Sequence, residues 1–171
     1  MIRQLQLNSA ALAILTVALC GCGVGQAVQG STVDAAKWAF TTQVKTMNLD
    51  LISRSSMNQN GTGQPLSTVV RIYQLKKAQA FEKLDYMQLQ KNDLAALKTD
   101  VLTTKDVVLR PDSNASVSVA MNEETQYVGI VAFFRSAGHD STWKLVVPRK
   151  QWKKTDPVKI EVQDNTLQRP S

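Results

Sequence analysis

One histidine, two cysteines and a pair of neighbouring glutamates are the residues of this 171-residue chain whose types could do chemistry. A nucleophilic triad needs a base held beside its nucleophile, and His139 is the only histidine. It stands in Gly138-His139-Asp140, a turn signal that directs it to solvent rather than into a cleft. Glu123 and Glu124 are adjacent. On a strand they would point to opposite faces and could not share a substrate; in a turn they are solvated. No G-x-S-x-G elbow, Walker loop or H-E-x-x-H occurs. The His and Cys inventory is too small for a structural metal site. The residues therefore predict a protein that is not an enzyme, holds no metal or cofactor and takes no small-molecule substrate.

The cysteines suggest a different chemistry. Residues 1–22 read MIRQLQLNSAALAILTVALCGC. Arg3 supplies a positive start, and Ala10 to Leu19 is an uncharged run. A spanning helix needs about 20 apolar residues, so this run suits the apolar segment of a signal peptide better than a permanent span. Leu19-Cys20-Gly21-Cys22 resembles a bacterial lipobox, with a branched apolar residue at −3, a small residue at −1 and the lipidated cysteine at +1. Cys22 fits that frame because Gly21 is small; Cys20 does not, because Leu19 would have to stand at −1. The alternative is an uncleaved buried helix with two incidental thiols. Cleavage before Cys22 makes 1–21 a lipoprotein signal peptide and removes Cys20, so no intramolecular disulfide can form. Cys22 would then carry a covalent diacylglycerol and an N-acyl chain. One acyl chain attaches a protein only marginally, whereas two or three hold it in effect permanently. Gly23 at +2, rather than Asp, is what outer-membrane lipoproteins commonly show.

Lys and Arg number 20 against 14 Asp and Glu, a net +6. That is a basic surface without the dense stripe of a nucleic-acid binder, and export removes the chain from nucleic acid in any case. Lys144, Arg149, Lys150, Lys153, Lys154 and Lys159 form one run, opposed only by Asp156, with Trp143 and Trp152 in or beside it. Such a run could read anionic lipid heads, peptidoglycan or an acidic protein face, or be a solvated loop. It supports a second reading, a periplasmic peptidoglycan- or carbohydrate-binding lipoprotein.

The elements that must carry these residues follow from periodicity. Residues 22–40 read as a lipidated N-terminus and tether; fourteen flexible residues from Gly23 would reach roughly 20 Å. Met47, Leu49 and Leu51 alternate with polar neighbours and predict a first strand. Arg54 to Leu66 (RSSMNQNGTGQPL) is a long polar loop, and loops of this length are often functional. Ser67 to Lys76 (STVVRIYQLK) predicts the second strand. Residues 77–100 change to helical intervals, with Asp85 and Asn92 as N-caps dividing them into short helices. Further strands are expected at Lys105–Leu109, Ser116–Met121, Tyr127–Arg135, Thr142–Val147 and Val158–Val162. Tyr127–Arg135 is apolar enough to be a central strand covered on both faces. Residues 165–171 read as a loose tail. The expected fold is mainly β, a two-sheet antiparallel β-sandwich over residues 41–164 with a helical insertion between strands 2 and 3.

Several segments together resemble the TssJ (SciN) outer-membrane lipoproteins of bacterial type VI secretion systems. The carriers are the lipobox at Cys22, V-R-I-Y-Q-L-K at Val70–Lys76, A-x-A-F at Ala78–Phe81, and N-D-x-A-A-L-x-x-D ending at Asp100. V-x-L-x-P at Val107–Pro111, A-F-F-R at Ala132–Arg135 and Thr142-Trp143 complete them. Ser136 departs from the acidic residue the family often has there. The resemblance implies a transthyretin-like sandwich in the periplasm, lipid-anchored in the cell outer membrane. It implies a partner, the periplasmic C-terminal domain of TssM, and through it TssL in the membrane complex. It also implies that the loop between strands 1 and 2 makes the contact, here with Asn58, Gln59, Asn60, Gly61 and Thr62 as candidates.

Overall fold

The computed structural model describes residues 44–138 and 141–170. The signal peptide, Cys22, the tether and His139 lie outside them. The described chain runs β1 (Thr46–Ser53), β2 (Thr68–Leu75), α1 (Gln79–Lys83), α2 (Tyr86–Ala96) and β3 (Val101–Leu109). It continues with β4 (Asn114–Ala120), β5 (Tyr127–Phe133), β6 (Lys144–Pro148), a 3₁₀ turn at Arg149–Gln151, β7 (Val158–Gln163) and β8 (Thr166–Gln168). The strands form two four-stranded sheets, ordered β4-β1-β7-β8 and β3-β2-β5-β6.

The expected sandwich holds, with three corrections. β1 and β7 pair in parallel, Leu49 beside Val158, inside otherwise antiparallel sheets. β3 begins at Val101, not Lys105, because Val101, Thr103 and Thr104 already pair with β2 across a bulge at Leu102. Thr166–Gln168, in the expected loose tail of residues 165–171, is instead a strand: Asp164 turns the chain with a φ of 52°, and β8 pairs with β7 while Leu167 enters the core.

Alternation in β1 places Met47, Leu49 and Leu51 between the sheets, against Val70 and Ile72 of β2 and Val128 and Ile130 of β5. β2 and β5 are inner strands whose other face is covered by the helices, which explains their near-continuous apolar sequence. This second cluster joins Tyr73, Leu75 and Val131 to Phe81, Leu89 and Leu97 of the helical lobe. Gly129 is required there, since a Cβ at that position would lie 2.8 Å from the Phe81 ring.

Neither helix is long enough to be stable alone in water, so docking sustains them. Asp85 caps α2 by accepting from Gln88 N at 2.8 Å, while Gln88 Oε1 accepts from Asp85 N at 2.9 Å. Asn92 does not cap a separate helix; it kinks α2 with φ −145° and ψ 28°. That kink precedes buried Asp93, whose Oδ2 accepts from Tyr73 Oη at 2.7 Å and Arg71 Nη1 at 2.8 Å. Arg71 also grips both oxygens of Asp106 at 2.7 Å. Burial acts to raise the Asp93 pKa, but the bonds from Tyr73 and Arg71 prevail and hold it below the usual carboxylate range.

Strand pairing sorts the connections into two poles. One pole holds the starts of β1 and β7, the β4–β5 turn and the end of β6. The chain enters there, where Arg149 Nη2 donates to Val44 O at 3.1 Å. The other pole gathers the β1–β2 loop, residues 110–113, the β5–β6 connection and the β7–β8 turn.

Candidate partner-binding loop

The β1–β2 loop is built from its base outward. Met57 is the only large apolar residue between Arg54 and Pro65, and it is fully buried in the main core. It nails the loop down. Asn58 follows with a φ of 51°, the left-handed region that asparagine tolerates better than most residues. Its backbone N donates to Asp164 O at 2.6 Å, its Nδ2 donates to Ser67 O at 3.1 Å, and its Oδ1 accepts from Arg135 N at 2.7 Å. One residue thus ties the loop to the β7–β8 turn, to its own far end and to the chain leaving β5. Arg54 adds an ion pair with Glu161. The Arg54 hydrogen bond holds the Glu161 carboxyl below its ordinary pKa, with help from Gln168.

The tip is organised by Asn60. Its Oδ1 accepts from Thr62 N at 3.0 Å, Thr62 Oγ1 at 2.7 Å and Gln64 N at 2.9 Å. Gly63 supplies the φ of 79° that closes the turn. The five candidate residues therefore divide. Asn58 is buried and holds the base, and Asn60 is half-buried and turned into its own loop. Gln59, Gly61 and Thr62 are exposed, together with Gln64 and Pro65. The Met57 anchor, the Arg54–Glu161 pair and the Arg135 backbone contact were not anticipated from sequence. A lone methionine in a polar run was the one available signal.

The basic run is not a uniform surface. Trp152 is 3% exposed and packs in the main core, so it cannot stack on a sugar. Trp143 is half-buried edge-on to Tyr86, at 5.2 Å between ring centroids. Of the two tryptophans, only Trp143 keeps exposed surface that a sugar could meet. Lys144 Nζ donates to Glu82 O at 2.7 Å and Leu84 O at 2.6 Å, and its burial lowers its pKa. Arg149 Nη1 holds Asn122 O, Glu123 O and Thr125 O at 2.8–3.0 Å. Lys150, Lys153, Lys154 and Lys159 remain exposed. Glu123 is exposed, and Glu124 pairs with Lys76 at 2.8 Å. Among the described residues, no group of three or more His, Cys, Asp or Glu side chains could hold a metal ion. No described helix is long and apolar enough to cross a membrane.

A family model described as "Type VI secretion lipoprotein, VasD, EvfM, TssJ" matches residues 45–165, the sandwich up to the turn before β8. The chain belongs to this lipoprotein family. No curated protein matches its sequence. Among solved structures, a chain of a "Type VI membrane complex" is 35% identical, with a TM-score of 0.72 over 75% of this chain and 100% of that one. A chain of the structure described as "T6SS protein TssM C-terminal domain (869-1107) from EAEC" is 33% identical, with a TM-score of 0.66 over 75% and 99%. The type VI secretion lipoprotein TssJ1 from Pseudomonas aeruginosa shares the fold at 24% identity, with a TM-score of 0.66 over 74% and 98%. As a type VI secretion lipoprotein, the chain is of a membrane-associated kind.

Proposed function

We propose that this lipoprotein, lipidated at Cys22 and facing the periplasm from the outer membrane, binds the periplasmic C-terminal domain of TssM. In doing so it tethers TssM, and through it TssL, to that membrane. The exposed tip of the β1–β2 loop, Gln59, Gly61 and Thr62 with Gln64, makes the contact. The observation that carries the reading is a solvent-facing polar tip on a base immobilised by Met57 and Asn58, in a chain 33% identical to one in a TssM C-terminal domain structure.

The physics suits a tether. A small polar tip makes a modest, wet interface. Its affinity is raised because ordering is already complete before the partner arrives. A lipid anchor then supplies effective concentration that contact area does not. The reaction needs no base, metal or cofactor; the lipid on Cys22 is the only added group.

The test is to replace Gln59–Gln64 with a Gly/Ser segment of equal length and titrate the purified TssM periplasmic domain against the lipidated chain. Loss of binding with unchanged thermal stability is expected. Unchanged affinity would remove the loop from the interface. In parallel, Cys22→Ser should move the protein from the membrane fraction to the soluble fraction.

A further inference from the structure

The pole opposite the β1–β2 loop keeps the cations that the fold does not use. Lys144 and Arg149 are engaged by backbone carbonyls. Trp152 plugs the core from the middle of the β6–β7 connection, and this leaves Lys150, Lys153 and Lys154 exposed on either side of it. A cleft of about 530 Å³ lies between this connection and the segment after β8, and Lys153, Lys159 and Arg169 line it. Arg169 Nη1 donates to Gln151 Oε1, so the last described residues are drawn to the cleft wall. Asp156 is the one acid lining the cleft, and it lies 3.8 Å from Lys153 with both side chains exposed. A pair so open to water neutralises little. Glu123 and Glu124 share the pole on the β4–β5 turn, outside the cleft lining, and Glu124 is matched by Lys76.

Position adds to charge. The cleft is at the pole where the chain enters the fold, beside Val44, and Asn48 Nδ2 reaches Lys154 O at 3.4 Å. We propose that this pole binds the phosphoryl headgroups of an anionic membrane leaflet, Lys153, Lys159 and Arg169 in the cleft and Lys150 and Lys154 at its rim. The proposal rests on the anchoring reading at Cys22. Roughly twenty residues separate Cys22 from Val44, and fully extended they would span about 70 Å. An anchor so far along the chain does not choose which pole faces the bilayer. Lysine and arginine near an anionic surface are each attracted to it within a Debye length, and they do choose. Seated this way, the domain turns its β1–β2 loop away from the membrane.

The test uses the lipidated full chain in vesicles of phosphatidylethanolamine and phosphatidylcholine, with or without phosphatidylglycerol. A membrane-impermeant amine reagent then labels the lysines for mass spectrometry. On the anionic vesicles, labelling of Lys150, Lys153, Lys154 and Lys159 should fall several-fold and recover in high salt, while Lys83 and Lys91 of the helical lobe stay constant. In the triple variant Lys150→Glu, Lys153→Glu, Lys154→Glu, the protection of Lys159 should disappear with the melting temperature unchanged. Incorporation with equal labelling on both vesicles overturns the headgroup contact alone. Failure to incorporate overturns the anchoring at Cys22, and this proposal with it. Sedimentation with isolated peptidoglycan that the triple variant abolishes would assign these cations to the cell wall and overturn the lipid assignment.

Discussion

The helical lobe and the β1–β2 loop both interrupt the sandwich between strands, yet different forces hold them. The lobe is fixed by apolar burial: Phe81, Leu89 and Leu97 are inaccessible to solvent, and Asp93 adds a partly shielded ionic contact. The loop has one buried apolar anchor, Met57, and otherwise relies on polar contacts: asparagine carboxamides bonded to backbone, backbone bonds at its base and the Arg54–Glu161 pair. The lobe is therefore part of the domain's stability, whereas the loop tip contributes almost nothing to it. A surface of the second kind can change its sequence, and with it its partner, without endangering the fold.

Substitutions can break this contrast at several strengths. Phe81→Ala should have the largest effect, destabilising the domain by roughly 3–5 kcal/mol in a denaturant titration. TssM affinity measured below the transition should stay unchanged; a parallel loss of affinity would mean that lobe and loop are not separate. Asp93→Asn comes next, at about 1–3 kcal/mol near neutral pH, because Tyr73 and Arg71 lose their ionised acceptor. The folded Asp93 pKa is depressed, so its contribution is present above the unfolded carboxylate pKa and lost as pH falls through the folded value. The gap between parent and variant should thus close on acidification below about pH 4. A gap independent of pH would deny the ionic role.

Asn58→Ala lies between the two regimes. It should cost about 1–2 kcal/mol from the lost bonds, and it should also weaken TssM binding by releasing the tip. Loss of stability without loss of binding would show that the tip does not depend on its base. The smallest effect on the fold belongs to Gly61→Arg. A Cβ at Gly61 meets nothing within 4 Å, so stability should stay within about 0.5 kcal/mol. A bulky charged side chain at the proposed contact should nevertheless reduce TssM affinity, measured by calorimetry. Wild-type affinity in this variant would take Gly61 out of the interface.

Much of the sandwich was legible because its signals are local. The alternation of Met47, Leu49 and Leu51, the apolar run of Tyr127–Phe133 and the cap at Asp85 each depend on neighbours a few residues away. β8 was missed because three residues are too few to show a period; only the seat that the core offers Leu167 makes them a strand. The start of β3 was missed because Val101 also continued the helical spacing before it. Within the site, the location of the loop was legible from its length and polarity. The inward turn of Asn58 was not, because its acceptors and donors come from Ser67, Asp164 and Arg135.

By itself the sequence determined the mainly β character of the domain, the helical insertion and the long loop. Each is a matter of residue type at short spacing. Only the tertiary structure decided which of its polar residues face solvent. Trp152 and Asn58 turn inward and Lys144 and Arg149 close on carbonyls, while Gln59 and Thr62 at one pole and Lys150, Lys153 and Lys154 at the other remain exposed. Whether a polar group is satisfied depends on partners brought close by folding, often a hundred residues away along the chain, and no local pattern records that.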